Sequence, residues 1–400
     1  MREIKDAHLE NVFAGEKVPE HSKLPERHIK PWHKPRKQWI RRNQWLKKTA
    51  ELCSMLNLKD RRPLRYLSLP GEDLLDIRVI QECCADRDIK LKYLGLNDDY
   101  SSDEPNTWLH IAWNEVNSLA AIHHDSVVVK DRFEQIADPN SLASKYVQDY
   151  GPFDVVNLDL CESISPIKPR QPNYYAALQS LASNQIRTRP ASEPWLLLVT
   201  SRVGGPWVLD ADMKKLAACI ASNVETDRHF GIGLDSLVPE GVVIIRNQHT
   251  NWKKIQQPHF LNLFGVGFGK WLMQLLATAS PKWGVKLLRS YSYRIYAPSP
   301  DMVSLAFLLE CYPETPKDKA GLSTSVNPST PVYDERAFAL ALLDGVRTIN
   351  DLDVDLSKNL NAYEAMEKET YDLLLSARYS PAAIREGLKK FSRRKNGRRL

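Results

Sequence analysis

Short apolar runs alternate with segments of helical period along residues 64–203. The apolar runs predict buried strands at 64–71, 89–99, 126–129, 153–160 and 194–203. The segments between them predict helices at 72–88, 104–119, 142–151 and 174–187. Strands that are apolar throughout and separated by helices are typical of a mostly parallel sheet covered on both faces. The pattern therefore predicts an α/β domain.

A different pattern ends this domain. A long helix, roughly Leu261 to Ala279, precedes an alternating stretch at 290–296, a turn at 297–301 and an apolar run at 302–310. Two strands joined by such a turn predict a hairpin, so the last two strands should be antiparallel to each other. Five parallel strands closed by a hairpin is the layout of class I methyltransferases. The expected fold class is a Rossmann-like methyltransferase sheet with helices on both faces, plus helical N- and C-terminal additions.

The glycine cluster at 265–269 suggests a phosphate loop, but no Lys-Ser/Thr pair follows its last glycine. We interpret it as a turn or helix start. The expected division of the chain follows from these elements and from composition. It comprises a basic Trp-containing extension at 1–60, the methyltransferase-like domain at 61–312, a linker at 313–333 and a helical module with a basic tail at 334–400.

The basic N-terminal segment has two interpretations. Residues 23–48 interleave Lys and Arg with tryptophans, and prolines keep the first half extended before a helix from Lys37 to Leu56. A basic surface with flat rings suits a phosphate backbone with exposed bases. In that interpretation the nucleic-acid contacts would be Trp39, Trp45, Arg41 and Arg42. In the other, the helix docks its tryptophans on the main domain and leaves its charges in water.

Composition excludes several protein classes. The 400 residues are 43% hydrophobic with a net charge of +6, and no stretch approaches eighteen consecutive apolar residues, so we expect no membrane span. The N-terminus has no apolar signal core, so a cytoplasmic location is expected. The six cysteines are scattered and predict reduced thiols. His123, His124 and His229 have no carboxylate or thiol partner at ligand spacing, so no metal is expected.

Polar residues stand where four of the predicted strands end. They are Ser68 and Gly71 after the first strand, Asn97 and Asp98 after the second, Asp131 after the third, and Asn157 and Asp159 on the fourth. In open α/β sheets, ligands bind at the carboxyl ends of strands where strand order reverses. The cluster therefore predicts a site for a polar nucleoside, although Asp98 and Asp131 could instead be cap or turn residues.

In order and content these motifs resemble S-adenosylmethionine-dependent methyltransferases, and more narrowly the tRNA guanine N2-methyltransferase group. "YLSLPGEDLLDIRVI" is similar to that group's first strand, single-glycine turn and helix, and "LNDD" with "HIAWNEVN" to its second motif. "VVNLDLCES" aligns with its fourth strand, and "LLLVTSRVGG" resembles its fifth. The resemblance covers roughly residues 63–205.

The resemblance implies S-adenosylmethionine as cofactor and transfer of its methyl group to a nucleic-acid base nitrogen, with RNA favoured over DNA. Asp159 would be the catalytic acceptor of the target amine proton, and Tyr174 a ring that flanks the target base. Protein partners in a larger complex are a further expectation. The implied cofactor-binding residues are Ser68, Gly71, Asn97, Asp98, Asp131 and Asn157.

The sequence also departs from the methyltransferase pattern. The first motif has Gly71 alone, and Glu72 and Asp73 follow it, where they would repel the carboxylate of the cofactor. On the fourth strand, Leu160 and Cys161 replace a proline and a base-stacking aromatic residue. These departures leave a second function open: a catalytically degenerate methyltransferase-fold module that binds nucleic acid or scaffolds a multi-subunit complex.

Overall fold

The computed structural model describes residues 27–58, 62–98, 107–168, 172–247, 250–312 and 332–393. Within these residues the chain forms one nine-stranded sheet in the order β3-β2-β1-β4-β5-β8-β7-β9, with β6 also paired to β8. The strands are β1 (Leu64–Ser68), β2 (Leu91–Asn97), β3 (Val127–Lys130), β4 (Val155–Asp159), β5 (Trp195–Arg202), β6 (Lys282–Leu287), β7 (Tyr291–Tyr293), β8 (Met302–Tyr312) and β9 (Asn350–Asp351).

The strand directions confirm the predicted fold class. The first five strands pair in parallel, whereas β8 runs antiparallel to β5, β6 and β7. Strand order reverses between β1 and β4, because the chain runs outward from β1 to β3 and then returns to the other side of β1. The sequence pattern left β6 unassigned, and β8 is long enough to pair with both β6 and β7.

Helices cover both faces of the sheet. They are α1 (Pro35–Ile40), α2 (Lys47–Leu56), α3 (Leu75–Ala85), α4 (Thr107–Asn117), α5 (Leu142–Tyr150), α6 (Tyr174–Thr188), α7 (Asp210–Thr226), α8 (Arg228–Leu237), α9 (Gly241–Arg246), α10 (Gln257–Ala277), α11 (Glu335–Arg347), α12 (Leu352–Lys358), α13 (Leu360–Ser376) and α14 (Pro381–Arg393).

Successive strand residues point to opposite faces, so the sheet contributes to two cores. Leu197 and Val199 of β5 join a core with α5, α6, α7, α8, α10 and α11. Leu196 and Leu198 join a second core with α2, α3, α4 and α12. A smaller cluster packs α3 against α13 and α14.

The glycine cluster lies inside α10, so the interpretation as a turn or helix start was wrong. A Cβ on Gly267 would stand 2.8 Å from Cβ of Leu216 in α7, and one on Gly269 would stand 2.5 Å from Leu342 in α11. The glycines therefore let three helices approach closely. By length and composition α10 could also cross a membrane, but 72% of its most apolar window is buried against other elements, as in a core helix.

The N-terminal segment packs on the sheet domain. After α1 the helix continues through a π-helical segment, Arg41–Leu46, into α2. Trp45 is completely buried in the second core, and Trp39 is half-buried against it. The helix thus has the docked arrangement that the sequence left open. The predicted basic tail beyond residue 393 and most of the predicted linker lie outside the described residues.

Candidate functional site

A cavity of about 430 Å³ lies at the carboxyl ends of the central strands. Its floor comes from the ends of β1, β2 and β4, where strand order reverses. One wall is the N-terminal segment from Lys30 to Arg41, and another is the chain between Tyr293 and Met302. This is the position at which open α/β sheets bind ligands, and the volume is within the usual range for small-molecule sites.

The loop after β1 leaves room for a ligand beside its backbone. Gly71 lines the cavity, and a Cβ built on it would meet no atom within 4 Å. The loop is held from below, because Asn97 Nδ2 donates to the Pro70 carbonyl at 2.7 Å. Gly95 of β2 permits this arrangement, since its Cβ would stand 2.9 Å from Pro70 Cγ. The missing side chain of Gly71 therefore leaves space for a ligand, whereas the missing side chain of Gly95 lets Pro70 pack against β2.

Asp73, in the same loop, is paired with groups from both ends of the chain. Arg27 forms an ion pair with its carboxylate, and the Tyr379 hydroxyl donates to Oδ2 at 2.9 Å. His33 Nε2 lies 3.3 Å from that oxygen, while Nδ1 accepts from the Lys30 backbone N–H at 3.1 Å. Burial and the nearby cations lower the pKa of His33 to about 3, so the ring is neutral. Asp73 thus has its charge compensated within the fold.

A buried polar network lies under the loop. Asp76 accepts hydrogen bonds from the Ser68 hydroxyl and from the Tyr66 hydroxyl, the latter at 2.9 Å. Asn157 Nδ2 donates to the Tyr66 oxygen at 2.8 Å. Burial raises the pKa of Asp76. Of this network Asp76 reaches the cavity surface, whereas Ser68 and Asn157 support it from beneath.

Asp159, at the end of β4, forms an ion pair with Lys37 of α1 inside the cavity. The Lys37 side chain is 3% exposed and that of Asp159 is 24% exposed. The Lys37 ammonium also lies 4.6 Å from the centre of the Trp45 ring. Burial lowers the pKa of Lys37, and the Asp159 carboxylate opposes that shift. A helix of the N-terminal segment therefore supplies a buried cation to the predicted catalytic carboxylate.

Exposed aromatic rings lie in and beside the cavity mouth. Among the large hydrophobic side chains that are exposed in the described residues, the aromatic ones are Trp32, Trp207 and Tyr296. Trp32 and Tyr296 line the cavity. The Arg202 guanidinium lies 3.3 Å from the centre of the Trp207 ring and 4.5 Å from that of Tyr296. The mouth thus combines flat rings with a cation.

The structure brings part of the predicted site together. The predicted residues that line the cavity are Gly71, Asn97, Asp98, Asp159 and Arg41, the last of which was predicted as a nucleic-acid contact. Sequence reasoning missed Lys37, His33, Asp76 and Tyr296. Lys37 and His33 lie in the basic segment, where the surrounding charges suggested a surface. Asp76 could have been found, because it is a carboxylate in the buried stripe of a predicted helix.

The other predicted residues lie elsewhere. Asp131 accepts from the backbone N–H groups of Ala143 and Arg132, both at 2.9 Å, so its carboxylate is a structural cap. Tyr174 is buried and stacks on Phe133. The buried ring of Trp45 cannot reach a ligand in this arrangement.

Two further residues of the predicted nucleic-acid surface are engaged in the fold. Trp39 packs on the second core. Arg42 pairs with Glu82 and Glu369.

His229 Nδ1 lies 3.6 Å from Asp227 Oδ1, contrary to the sequence analysis. His123 and His124 also have a carboxylate neighbour. His124 Nε2 lies 3.2 Å from Asp125 Oδ1. The possible metal-ligand atoms of His123, His124 and Asp125 lie within 4.8 Å of one another. Sequence reasoning missed Asp125 because it considered partners at metal-ligand spacing, and Asp125 is adjacent to His124. Lys92 Nζ lies 3.2 Å from Asp125 Oδ2, so a cation already occupies that side of the carboxylate.

The chain is similar to a family model and to solved structures. A family model described as PP_RS20740-like matches residues 26–388. No curated protein matches. Among solved structures, the plantazolicin methyltransferase BpumL in complex with SAH is similar over 69% of this chain and 87% of its own, at 12% identity and a TM-score of 0.29. BpumL with a monoazolic desmethylPZN analog and SAH gives 11% identity and a TM-score of 0.31 over the same shares. Strand order and direction, not this remote likeness, define the fold.

Proposed function

The chain belongs to the PP_RS20740-like family, and we propose that it is an S-adenosylmethionine-dependent methyltransferase. The observation that carries this proposal is the Gly71 loop at the strand-order reversal, whose open face leaves room for a ligand against the backbone. The BpumL structures contain SAH, the demethylated form of the same cofactor.

The residues of the cavity fit the parts of this cofactor. Asp98 is exposed at the end of β2, where a carboxylate would accept from the paired ribose hydroxyls. Asn97 would hold the loop in place through Pro70. Asp73 has its charge compensated by Arg27, so the repulsion expected from the sequence is reduced. The cofactor would supply an electrophilic methyl group on a sulfonium.

Asp159 would act on the acceptor. Its carboxylate would accept a hydrogen bond from the target N–H, orient the nitrogen lone pair towards the methyl group and stabilise the positive charge that develops there. With the cofactor bound, the acceptor nitrogen would lose a proton as it takes the methyl group, and the Asp159 carboxylate would receive that proton while S-adenosylhomocysteine leaves. Lys37 would remain paired with the Asp159 carboxylate until the acceptor arrives.

The acceptor is proposed to be a nucleic-acid base nitrogen, with RNA favoured. The supporting observation is the mouth, because Trp32 and Tyr296 offer flat rings and the Arg202 guanidinium lies 4.5 Å from the centre of the Tyr296 ring. Unpaired bases stack on such rings and on guanidinium planes. These exposed side chains replace the buried tryptophans as candidate base contacts.

Calorimetric titration with S-adenosylmethionine and S-adenosylhomocysteine tests cofactor binding. Gly71→Val should fold with the wild-type melting temperature, because its Cβ points into open space, but should lose affinity for both compounds. Gly231→Ala is the control, since a Cβ there makes an ordinary 3.4 Å contact with Val242, and neither residue lines the cavity. Wild-type protein that binds neither compound would refute the proposal.

Labelled methyl transfer to RNA, single-stranded DNA and protein, in separate reactions, tests the chemistry. Asp159→Asn should reduce transfer about a hundredfold or more, because an electrostatic contact of this kind is worth about 3 kcal/mol in a dry site. Its affinity for S-adenosylhomocysteine should stay within a few-fold of wild type. Transfer to protein alone would refute the nucleic-acid acceptor.

Two observations favour a second function. Lys37 already neutralises Asp159, and Leu160 and Cys161 stand where the resembled family has a proline and an aromatic ring. A module that binds the cofactor or nucleic acid without catalysis would have this arrangement. It predicts cofactor binding without methyl transfer in all three reactions, for Lys37→Met as well as for wild-type protein.

A further inference from the structure

Arg41 is a buried arginine that lines the cavity and has no acidic partner among the described residues. It is 4% exposed. Among the described residues no carboxylate oxygen lies within 4.0 Å of its guanidinium, although other buried cations of the site have one, as Lys37 has Asp159. Buried arginines are rarely left in this condition, because an uncompensated charge in a dry site is costly.

The Arg41 guanidinium does not use all of its N–H donors within the protein. One terminal nitrogen donates to the Trp32 carbonyl at 3.1 Å and the other lies 3.5 Å from Gln38 Oε1, both uncharged acceptors. The Nε atom is buried and has no hydrogen-bond partner in the part of the chain that the structure describes. Burial lowers the pKa of Arg41, and the charges of Asp159 and Asp76 oppose this shift most strongly. Both of those carboxylates already hold other donors.

The position of Arg41 on its helix is also unusual. It begins the π-helical segment between α1 and α2, and π segments occur frequently at functional sites. Lys37, one turn earlier, faces the same cavity. The helix therefore presents two buried cations, of which one is neutralised by the protein.

We infer that Arg41 binds the carboxylate of the cofactor's amino-acid portion, an inference that rests on the proposed function. A planar guanidinium matches a carboxylate with two parallel hydrogen bonds. This assignment accounts for the departures in the first motif. Where a glycine-rich turn would approach the amino-acid portion, this chain has Glu72 and Asp73, and an arginine from the N-terminal helix supplies the missing attraction.

The test compares two ligands that differ in one group. S-adenosylhomocysteine carries the carboxylate, and its decarboxylated analogue keeps the adenosine, sulfur and ammonium. Arg41→Gln should weaken S-adenosylhomocysteine about ten- to a hundredfold, the scale of a charge-assisted hydrogen bond. The analogue should bind Arg41→Gln and wild-type protein within about twofold. The affinity of Arg41→Lys for S-adenosylhomocysteine should lie between the affinities of Arg41→Gln and wild-type protein.

Arg42→Gln is the matched control, because Arg42 is the adjacent arginine but pairs with Glu82 and Glu369 outside the cavity. It should leave both affinities unchanged. Equal losses for the two ligands in Arg41→Gln, or no loss for either, would overturn the assignment while leaving the proposed function standing. Wild-type protein that binds neither ligand would overturn the proposed function itself.

Melting temperature without ligand gives an independent readout. Removing an uncompensated buried charge should leave the melting temperature of Arg41→Met unchanged or higher. A clear decrease would mean that the fold needs the guanidinium, and Arg41 would then be a structural residue.

Discussion

At the scale of single residues, the carboxylates near the carboxyl ends of the strands have different partners and therefore different roles. Asp98 is exposed at the cavity, whereas both oxygens of Asp131 accept backbone N–H groups. Asp159 is paired with a buried lysine, and Asp73 with an arginine and a tyrosine. Sequence reasoning placed Asp98, Asp131 and Asp159 at strand ends but could not distinguish a cap from a ligand contact. The distinction depends on which donors the fold brings within reach.

The pair Asp98 and Asp131 tests this distinction. Asp98→Ala should weaken S-adenosylhomocysteine by about 1.5 to 3 kcal/mol, the scale of a hydrogen bond to a charged group, with little change in melting temperature. Asp131→Ala should do the reverse, lowering the free energy of unfolding by about 1 kcal/mol through loss of a cap and leaving affinity unchanged. Titration and chemical denaturation of both variants measure the two effects. Unchanged affinity in Asp98→Ala would remove the ribose assignment.

His33 should make stability depend on pH. The pKa of its ring is about 3 in the folded protein and about 6.5 in an unfolded chain. Between these values the unfolded state binds a proton that the native state excludes, so the free energy of unfolding decreases as pH falls. We expect His33 to account for up to about 2 kcal/mol between pH 6.5 and 5, since one pH unit is worth at most about 1.4 kcal/mol.

Denaturation at both pH values measures this dependence. His33→Gln should lose less stability on acidification than wild type, because glutamine does not titrate. His124→Gln is the control, as the His124 side chain is 85% exposed and should leave the wild-type dependence intact. Equal pH dependence in His33→Gln and wild type would contradict the assignment.

At the scale of elements, the N-terminal helix is part of the core as well as a wall of the cavity. Trp45→Ala should lower the free energy of unfolding by about 3 to 5 kcal/mol, the usual cost of removing a buried large ring. Trp39→Ala should cost less, because its ring is half-buried. Thermal and chemical unfolding of the two variants measure the difference. A small effect of Trp45→Ala would favour the interpretation of the segment as a nucleic-acid surface.

The local sequence pattern predicted most strands of the sheet and most of the helices that cover it. A strand buried on both faces is recognisable because it has a continuous apolar run. The pattern failed at Gly265–Gly269, since glycines that form turns and glycines that let helices approach are the same residues in the sequence. The local pattern could not predict which side chains pair with each other at the site. Lys37 and Asp159 are 122 positions apart, and Asp73 and Tyr379 are 306 apart. Such pairs exist only once the fold has formed.

At the scale of the whole molecule, the C-terminal helices complete the structure that holds the site. Leu342 and Leu343 of α11 belong to the main core. The Tyr379 hydroxyl, just before α14, donates to Asp73 in the cavity loop. Asp353 of α12 is buried, accepts from the Arg294 backbone N–H at 2.7 Å and pairs with Arg36. The sequence predicted a separate helical module at 334–400, and these contacts bear on whether the preceding part can fold without it.

Truncation decides that question. A chain that ends at residue 312 should be insoluble or lack a cooperative unfolding transition, because it exposes the surfaces of α10 and β6 that α11 covers. A chain that ends at residue 393 is the control and should unfold like the full-length protein, since it keeps every described helix. Calorimetry and size-exclusion chromatography of the two truncations give the result. If the shorter chain folds and binds S-adenosylhomocysteine, the C-terminal helices are an independent module and the Tyr379–Asp73 contact is dispensable for the site.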